Sequence, residues 1–121
     1  ILGICLGMQL LLETGVEGGN QTGLNMISGK VRKLESAHTQ KVPHIGWEKV
    51  WTIPENEANY YYFAHSYYCD VSEKSIISST FKWGELELPA SIDNENITGF
   101  QFHPEKSGFS GLKMLKTSLL Y

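Results

Sequence analysis

Hydrophobic and polar positions divide the chain into a short opening unit and a longer, strand-rich remainder. An apolar strand from Leu2 leads into a helical pattern over Met8–Thr14, which fades at Gly15. The Gly-Gly-Asn at 18–20 is a loop signal, and Thr22–Ile27 is predicted to be a loop as well. The chain therefore opens with a strand, a tight connection and a helix.

The remainder alternates between apolar and polar residues, as half-buried strands do. A helix from Gly108 to Leu120 closes the chain and carries its leucines on one face. Between the two helices the pattern predicts a mainly antiparallel set of strands at Gly29–Leu34, Glu48–Thr52, Asn59–Ser66, Tyr67–Val71, Ser75–Phe81, Glu85–Asp93 and Ile97–Phe102.

Cys5 lies between two glycines, Gly3 and Gly7, where the first strand meets the first helix. This layout is typical of a nucleophile elbow, in which glycines permit a sharp turn and the close approach of other groups. The N-terminus of the helix favours a thiolate at this position, and the backbone N–H of Leu6 is suited to an oxyanion hole. A buried structural cysteine is the alternative interpretation of this segment alone.

His103 and Glu105 follow a short apolar strand near the other end of the chain. Pro104 restricts His103 to extended conformations, and positions i and i+2 of an extended segment share a face. We therefore expect the carboxylate to reach one imidazole nitrogen while the other faces the thiol. A nucleophilic cysteine needs such a base and such an orienting acid, whereas His-Pro-Glu alone is usually a solvated turn.

Composition limits the class of protein. The 121 residues are 41% hydrophobic, enough for one core, and the net charge of −3 without a basic run argues against nucleic acid as a partner. Two cysteines, Cys5 and Cys69, do not make a disulfide framework, and no apolar run is long enough to span a bilayer. The four histidines lack the spacing of metal ligands, so we expect no metal and a cytoplasmic protein.

Two further segments complete a set of four motifs in order. Gly-Ile-Cys-Leu-Gly-Met-Gln at 3–9 and Gly-Phe-Gln-Phe-His-Pro-Glu-Lys-Ser-Gly at 99–108 enclose Val-Pro-His-Ile-Gly-Trp at 42–47 and Tyr-Phe-Ala-His-Ser-Tyr-Tyr at 62–68. Together they resemble the class I (triad) glutamine amidotransferase family, over essentially the whole chain. The resemblance implies an α/β fold, with a flavodoxin-like central sheet that carries the elbow and mainly antiparallel strands beside it.

The resemblance also implies roles for individual residues. Cys5 corresponds to the nucleophile that attacks the side-chain amide of L-glutamine, His103 to the general base and acid, and Glu105 to the orienting carboxylate. The positions that hold the glutamine substrate, partly through backbone groups, correspond to Gln9, His65, Ser66 and Tyr67. No cofactor is implied.

Members of this family are longer than the present chain. A class I amidotransferase domain has roughly 200 residues, near the usual size for one α/β domain. The chain begins with Ile1, within the strand that leads to the elbow. We therefore expect residues 1–121 to be the C-terminal part of one such domain, with its N-terminal strands missing, and expect the fragment alone to be inactive.

The segment around Trp47 predicts a partner interface. A tryptophan beside a glycine in a loop can present its indole at a surface, and tryptophan is frequent among interface anchors. In the resembled subunits this loop faces a (β/α)₈-barrel cyclase or synthase, so Pro43, His44, Gly46 and Trp47 are the candidate contacts. Family members commonly have asparagine where this chain has Glu48. Packing of Trp47 against its own sheet is the alternative.

Three functions remain open from the sequence. The first is a glutaminase subunit that supplies ammonia to a biosynthetic cyclase. The second is a paralogous subunit that feeds another synthase, for example one that amidates a surface-polysaccharide sugar. The third is a non-catalytic fragment that serves as an interaction module, which the joint presence of Cys5, His103 and Glu105 disfavours.

Overall fold

The computed structural model describes residues 1–15, 21–36 and 40–119. These contain two α-helices, two short 3₁₀ turns at Lys74–Ile76 and Pro104–Lys106, and ten strands. The helices are α1 (Leu6–Gln9) and α2 (Gly108–Leu119). The strands are β1 (Leu2–Ile4), β2 (Leu12–Gly15), β3 (Gln21–Thr22), β4 (Ile27–Lys33), β5 (His44–Thr52), β6 (Ala58–His65), β7 (Tyr67–Val71), β8 (Ile77–Trp83), β9 (Leu86–Asn94) and β10 (Ile97–Phe100).

Six strands form the larger sheet, in the order β1-β10-β9-β8-β5-β6. Its first pair, β1 and β10, is parallel, with Ile4 opposite Phe100, and its other pairs are antiparallel. The predicted α/β fold with mainly antiparallel strands is thereby confirmed. Because β1 and β10 run in the same direction, the residues that follow Ile4 and Phe100 emerge at the same edge of the sheet.

The prediction of a helix over Met8–Thr14 is wrong after Gln9, where α1 ends. Strand β2 begins at Leu12 and pairs with β3 and β4 in a second, four-stranded sheet of order β3-β2-β4-β7. The Leu11 carbonyl accepts N–H bonds from Met26 and Ile27 instead of a helical partner. Leu11 and Leu12 are 2% and 0% exposed, so burial against the second sheet outweighs the helix propensity of the leucines.

The buried residues form two hydrophobic clusters. One lies around α1 and the second sheet and includes Met8, Leu12 and Ile92. The other is largely aromatic and includes Phe63, Phe81 and Phe102, three rings that are completely buried. Because β9 and β10 contribute to both clusters, the two sheets are packed through a shared set of strands.

Several predicted boundaries shift in the structure. Strand β5 begins at His44 and not at Glu48, where the sequence predicted its start. Gly46 and Trp47 therefore lie in a strand and not in the expected loop. Most other strands differ from prediction by one to three residues at an end, and helix α2 agrees with prediction as far as Leu119. Its most buried residue is Gly111, while Leu112 and Leu119 of the predicted leucine face are exposed. The loop predicted at 18–20, and Leu120, lie outside the described residues.

No helix in the described part of the chain is long and apolar enough to cross a membrane.

The contact between β1 and α1 generates a stability prediction. A Cβ added at Gly3 would lie 2.7 Å from the Gly7 carbonyl oxygen and 2.8 Å from the Met8 nitrogen, whereas a Cβ added at Gly7 would meet nothing within 4 Å. We expect Gly3→Ala to destabilise by about 1–3 kcal/mol, because the backbone of α1 must move. Gly7→Ala, the matched control, should be neutral or stabilising by up to about 1 kcal/mol.

Urea unfolding of a complete polypeptide carrying this chain measures both effects. Equal free energies of unfolding for the two variants would contradict the close packing of α1 on β1.

Candidate active site

Cys5 occupies a backbone conformation that few non-glycine residues adopt. Its φ is 54° and its ψ is −108°, and its N–H donates to the Phe100 carbonyl oxygen at 2.7 Å. Strain of this kind persists where the surrounding structure holds it, and here the hydrogen bond to β10 and the start of α1 do so. Because α1 has only one turn, its contribution to thiolate stability is smaller than the predicted longer helix would give.

The Cys5 sulfur contacts a backbone group of strand β6 and the side chain of the residue that follows β10. The Ala64 carbonyl oxygen on β6 lies 3.6 Å from Sγ, where it accepts the S–H hydrogen. The side-chain amide of Gln101 donates to Sγ at 3.8 Å from Nε2. Sequence reasoning missed Gln101. The available signal was a glutamine between two phenylalanines at the end of an apolar strand, since a buried amide requires polar partners.

His103 and Glu105 are in contact just beyond β10. The Nδ1 atom of His103 lies 3.2 Å from Oε2 of Glu105. His103 itself is extended, as predicted from Pro104, with φ −98° and ψ 97°. The contact forms because Pro104 starts a 3₁₀ turn, and not because the extended conformation continues to Glu105. The His103 side chain is 21% exposed and that of Glu105 is 46% exposed, so the pair opens toward solvent on the carboxylate side.

The His103 backbone is anchored by a residue that sequence reasoning did not identify. Ser107 is buried, and its hydroxyl donates to the His103 carbonyl oxygen at 2.6 Å and accepts the Tyr62 N–H at 2.9 Å. The His103 N–H in turn donates to the Tyr62 carbonyl oxygen at 2.8 Å. These bonds fix the turn to β6, and no local sequence pattern distinguishes Ser107 from an ordinary polar residue before a glycine.

Gln9 is buried beside the elbow. Its Nε2 donates to the Tyr67 carbonyl oxygen at 3.1 Å and to Oε1 of Gln101 at 3.4 Å. Among the described residues, no group donates to Oε1 of Gln9. A buried, unsatisfied acceptor is costly, so this oxygen is suited to a donor group on a ligand.

His65 lies at the end of β6, near His103. Its Nδ1 donates to the Tyr67 carbonyl oxygen at 2.7 Å, and its Nε2 lies 2.9 Å from Nδ1 of His44. Burial lowers the pKa of His65 to about 4 against the opposing effect of the Tyr67 bond, and charge on His103 lowers it further. His65 is therefore neutral at pH 7.

Ser66 and Leu6 are the remaining residues predicted for the site. Ser66 joins β6 to β7, and its carbonyl oxygen accepts the Leu34 N–H at 2.9 Å. Leu6 opens α1 directly after Cys5, with its side chain 54% exposed. The structure thus brings Cys5, Gln9, His65, Tyr67 and the His103 turn to one edge of the sheet.

The candidate interface residues do not all face solvent. Pro43 is exposed and Trp47 is 56% exposed, with its indole edge against the Tyr62 ring at 6.0 Å between centroids. His44, by contrast, is 8% exposed and stacks on Phe63 at 5.0 Å. The expectation of His44 as an exposed contact is therefore wrong, because the alternation of strand β5 turns it inward.

Gly46 lies in β5 between the buried His44 and the exposed Trp47. Its φ is 137°, and a Cβ added there would meet nothing within 4 Å. This region of φ favours glycine, so the backbone conformation rather than a lack of space explains the residue.

Cys69 differs from Cys5 in burial. It is 0% exposed, and burial, with a smaller contribution from charge on Cys5, raises its pKa to about 12. It therefore remains a thiol at neutral pH. Among residues 1–15, 21–36 and 40–119, no group of three or more histidine, cysteine, aspartate or glutamate side chains is arranged to hold a metal ion.

Comparison with known proteins identifies the class to which this site belongs. The family model described as glutamine amidotransferase class-I matches residues 1–120. The chain belongs to the class-I glutamine amidotransferase family, as its four motifs predicted. Two solved structures agree in fold: a glutamine amidotransferase from Thermotoga maritima (TM-score 0.58, 19% identity, 97% of this chain and 45% of that one) and another glutamine amidotransferase (TM-score 0.67, 16% identity, 98% and 59%).

Relatives with higher sequence identity than these two structures share one name. The chain is 47% identical over 120 residues to the imidazole glycerol phosphate synthase subunit HisH of Sulfolobus acidocaldarius, covering 94% of this chain and 59% of the relative. It is 48% identical over 122 residues to HisH 1 of Methanococcus maripaludis (95% and 59%), and 43% identical over 122 residues to HisH of Pyrococcus furiosus (95% and 61%). The chain thus spans about three fifths of the length of these relatives.

The two thiols should differ sharply in reactivity. We expect iodoacetamide at pH 7 to alkylate Cys5 and to leave Cys69 unmodified until the protein is unfolded, because Cys69 is buried and its pKa is raised to about 12. Peptide mass spectrometry before and after denaturation measures both sites. Equal modification of the two cysteines in the folded protein would contradict the assignment of Cys5 as the accessible thiol.

Proposed function

We propose that this chain carries the catalytic centre of the glutaminase subunit of imidazole glycerol phosphate synthase, in histidine biosynthesis. The subunit hydrolyses L-glutamine to glutamate and ammonia, and the ammonia passes to a (β/α)₈-barrel cyclase partner. One observation carries the proposal: a cysteine on a strained elbow shares a sheet edge with a histidine–carboxylate pair. The names of the similar sequences support the choice of synthase.

The first half of the reaction forms a thioester. The Cys5 sulfur attacks the side-chain amide carbon of glutamine, His103 accepts the thiol proton, and the tetrahedral intermediate expels ammonia after His103 returns that proton to the leaving nitrogen. The contact of Glu105 with Nδ1 makes Nε2 the nitrogen that exchanges the proton. The backbone N–H of Leu6 is the candidate donor to the oxyanion.

The second half releases glutamate. His103 removes a proton from water, the hydroxyl oxygen attacks the thioester carbon, and the Cys5 thiolate leaves as the carboxyl group forms. The 3.8 Å contact from Gln101 Nε2 favours the negatively charged sulfur over the neutral thiol. No cofactor takes part in this sequence.

The segment at 65–67 and Gln9 are the proposed glutamine site. Oε1 of Gln9 is a buried acceptor suited to an N–H group of the substrate. The backbone around Ser66 and Tyr67 connects β6 to β7 close to the elbow and supplies further polar groups. A free amino acid with several donors and acceptors suits such a backbone-lined site.

Trp47 is the proposed anchor for the cyclase, with Pro43 and Gly46 beside it. An exposed tryptophan on a strand that is paired along this stretch with β6 offers a flat aromatic surface to a partner. A cytoplasmic location forms part of the proposal, because a reducing compartment keeps the catalytic thiol from oxidation.

Substitutions in the triad should separate glutamine use from ammonia use. In the assembled synthase we expect Cys5→Ala to abolish glutamine-dependent turnover and His103→Ala to reduce it by about 10²–10⁴-fold, as for loss of a general base. Glu105→Ala should cost less, since it acts by orienting His103. The double variant Cys5→Ala/His103→Ala should lose little beyond Cys5→Ala alone.

Supplied ammonium salt provides the control for that experiment. All variants should retain synthase turnover with ammonia, because the cyclase does not need the glutaminase site. Full glutaminase activity in Cys5→Ala would sink the proposal, and so would a failure of ammonia to support turnover in correctly assembled variants.

Trp47→Ala should weaken association with the cyclase by about 2 kcal/mol, or roughly thirtyfold in Kd, if Trp47 is an interface anchor. Tyr60→Ala is the matched control, because Tyr60 is a similarly exposed aromatic residue (58%) on neighbouring strand β6. Titration calorimetry on the complete subunits measures both values. Equal affinities for the two variants would remove Trp47 from the interface.

A further inference from the structure

A buried chain of hydrogen bonds connects strand β5 to the proposed glutamine site. It runs from the Tyr67 carbonyl oxygen to His65 at 2.7 Å, from His65 to His44 at 2.9 Å, and from His44 Nε2 to Oε2 of Glu48 at 3.3 Å. Both imidazoles are buried, while the Glu48 side chain is 28% exposed. Glu48, at the outer end of this hydrogen-bond chain, follows Trp47 in strand β5, and alternation places the two side chains on opposite faces.

The Tyr67 carbonyl oxygen, at one end of this hydrogen-bond chain, determines which imidazole nitrogens carry hydrogens. A carbonyl oxygen only accepts, so Nδ1 of His65 carries a hydrogen, and in a neutral ring Nε2 is then an acceptor. Nδ1 of His44 must therefore donate to His65, which leaves Nε2 of His44 as an acceptor that faces Glu48. Two acceptors at 3.3 Å repel unless one hydrogen lies between them.

A protonated Glu48 carboxyl group can supply that hydrogen. Burial raises the pKa of the Glu48 carboxyl, although a hydrogen bond from the Lys49 backbone acts in the opposite direction. Burial lowers the pKa of His44 to about 4, and His65 adds to this effect. These directions of the pKa shifts favour a neutral carboxyl group that donates to a neutral imidazole. Glu48, His44 and His65 together then carry no net charge.

We propose that Glu48 is a positioning residue, whose carboxyl group holds His44, and through it His65, in the tautomer that binds the Tyr67 carbonyl oxygen of the glutamine site. This inference rests on the proposed function, since it takes residues 65–67 and Gln9 to hold glutamine. The Tyr67 oxygen also accepts a hydrogen bond from Gln9. The hydrogen-bond chain and Gln9 therefore share the Tyr67 carbonyl oxygen.

The phenylalanine and tryptophan rings packed on His44 do not fix its tautomer, since the only N–H among them, that of Trp83, donates to the Glu35 carbonyl oxygen. His44 lies against Phe63, Phe81 and Trp83, with ring centroids 5.0–5.7 Å away. Charged or titratable groups near the chain are Tyr61, opposite Glu48 on β6, Lys49 on β5, and His103 beside His65, within the described residues.

Three variants of the complete subunit, assembled with its cyclase, test the proposal. Glu48→Gln keeps a neutral N–H donor for His44 at every pH, Glu48→Leu removes the donor, and Glu57→Gln is a charge-matched control in the exposed segment that precedes β6. The hydrogen bonds of Glu57 to Thr52 use its backbone, so they survive the control substitution.

Histidine ¹H–¹⁵N spectra provide a readout that does not depend on activity. Wild type, Glu48→Gln and Glu57→Gln should show a protonated Nδ1 in both His44 and His65. Glu48→Leu should show a mixture of tautomers at His44. An unchanged Nδ1–H signal at both histidines in Glu48→Leu would overturn the proposal, and so would loss of these signals in Glu48→Gln.

Kinetics measure the consequence for substrate. We expect Glu48→Leu to raise KM for glutamine about tenfold, with a smaller change in kcat, because an unsatisfied buried acceptor loosens the site and not the nucleophile. Wild-type KM should rise as the pH passes through the raised pKa of Glu48, when its carboxyl group loses the bridging hydrogen. Glu48→Gln should lack this rise, because its side-chain amide keeps the N–H donor at every pH.

Wild-type KM and Glu48→Gln KM that follow the same pH dependence would overturn the role of Glu48. If the wild-type synthase has no glutaminase activity, the proposed function fails instead, and the spectra alone decide whether Glu48 sets the two tautomers.

Discussion

The parallel pairing of β1 with β10 is the constraint on which the rest of the structure depends. It joins Gly3 to Gly99 and Ile4 to Phe100, so two segments nearly a hundred residues apart become neighbours. The two glycines leave room for α1, whose Met8 side chain would meet a Cβ at position 99 and whose backbone would meet one at position 3. Without this close approach, Cys5 would not lie at the edge where the chain returns with its histidine.

The same edge depends on hydrogen bonds between buried polar groups. The Tyr67 carbonyl accepts from both Gln9 and His65, Gln101 donates to the Cys5 sulfur, and Ser107 fixes the His103 turn. The Ser107 hydroxyl also accepts the Tyr62 N–H of β6, so the site is held by contacts between separate elements and not by any one loop. Among the described residues, no group donates to the buried Oε1 of Gln9.

The sequence predicted what is local and missed what tertiary contacts decide. Glycines around Cys5 and the strand before His103 were readable because turn chemistry and alternation are properties of short segments. The helix predicted over residues 8–14 was wrong because pairing of Leu12 with Ile27 is a tertiary contact that propensity does not contain. For the same reason Gln101 and Ser107, and the inward orientation of His44, emerged only from the structure.

Trapping of the covalent intermediate tests the central claim most directly. A complete synthase would be mixed with isotopically labelled glutamine, quenched in acid within its first turnover, digested and analysed by mass spectrometry. The role of Cys5 as nucleophile predicts one labelled glutamyl group, attached as a thioester to the peptide that contains Cys5 and absent after treatment with hydroxylamine. Production of labelled glutamate with no adduct on that peptide, or an adduct on Cys69, would contradict it.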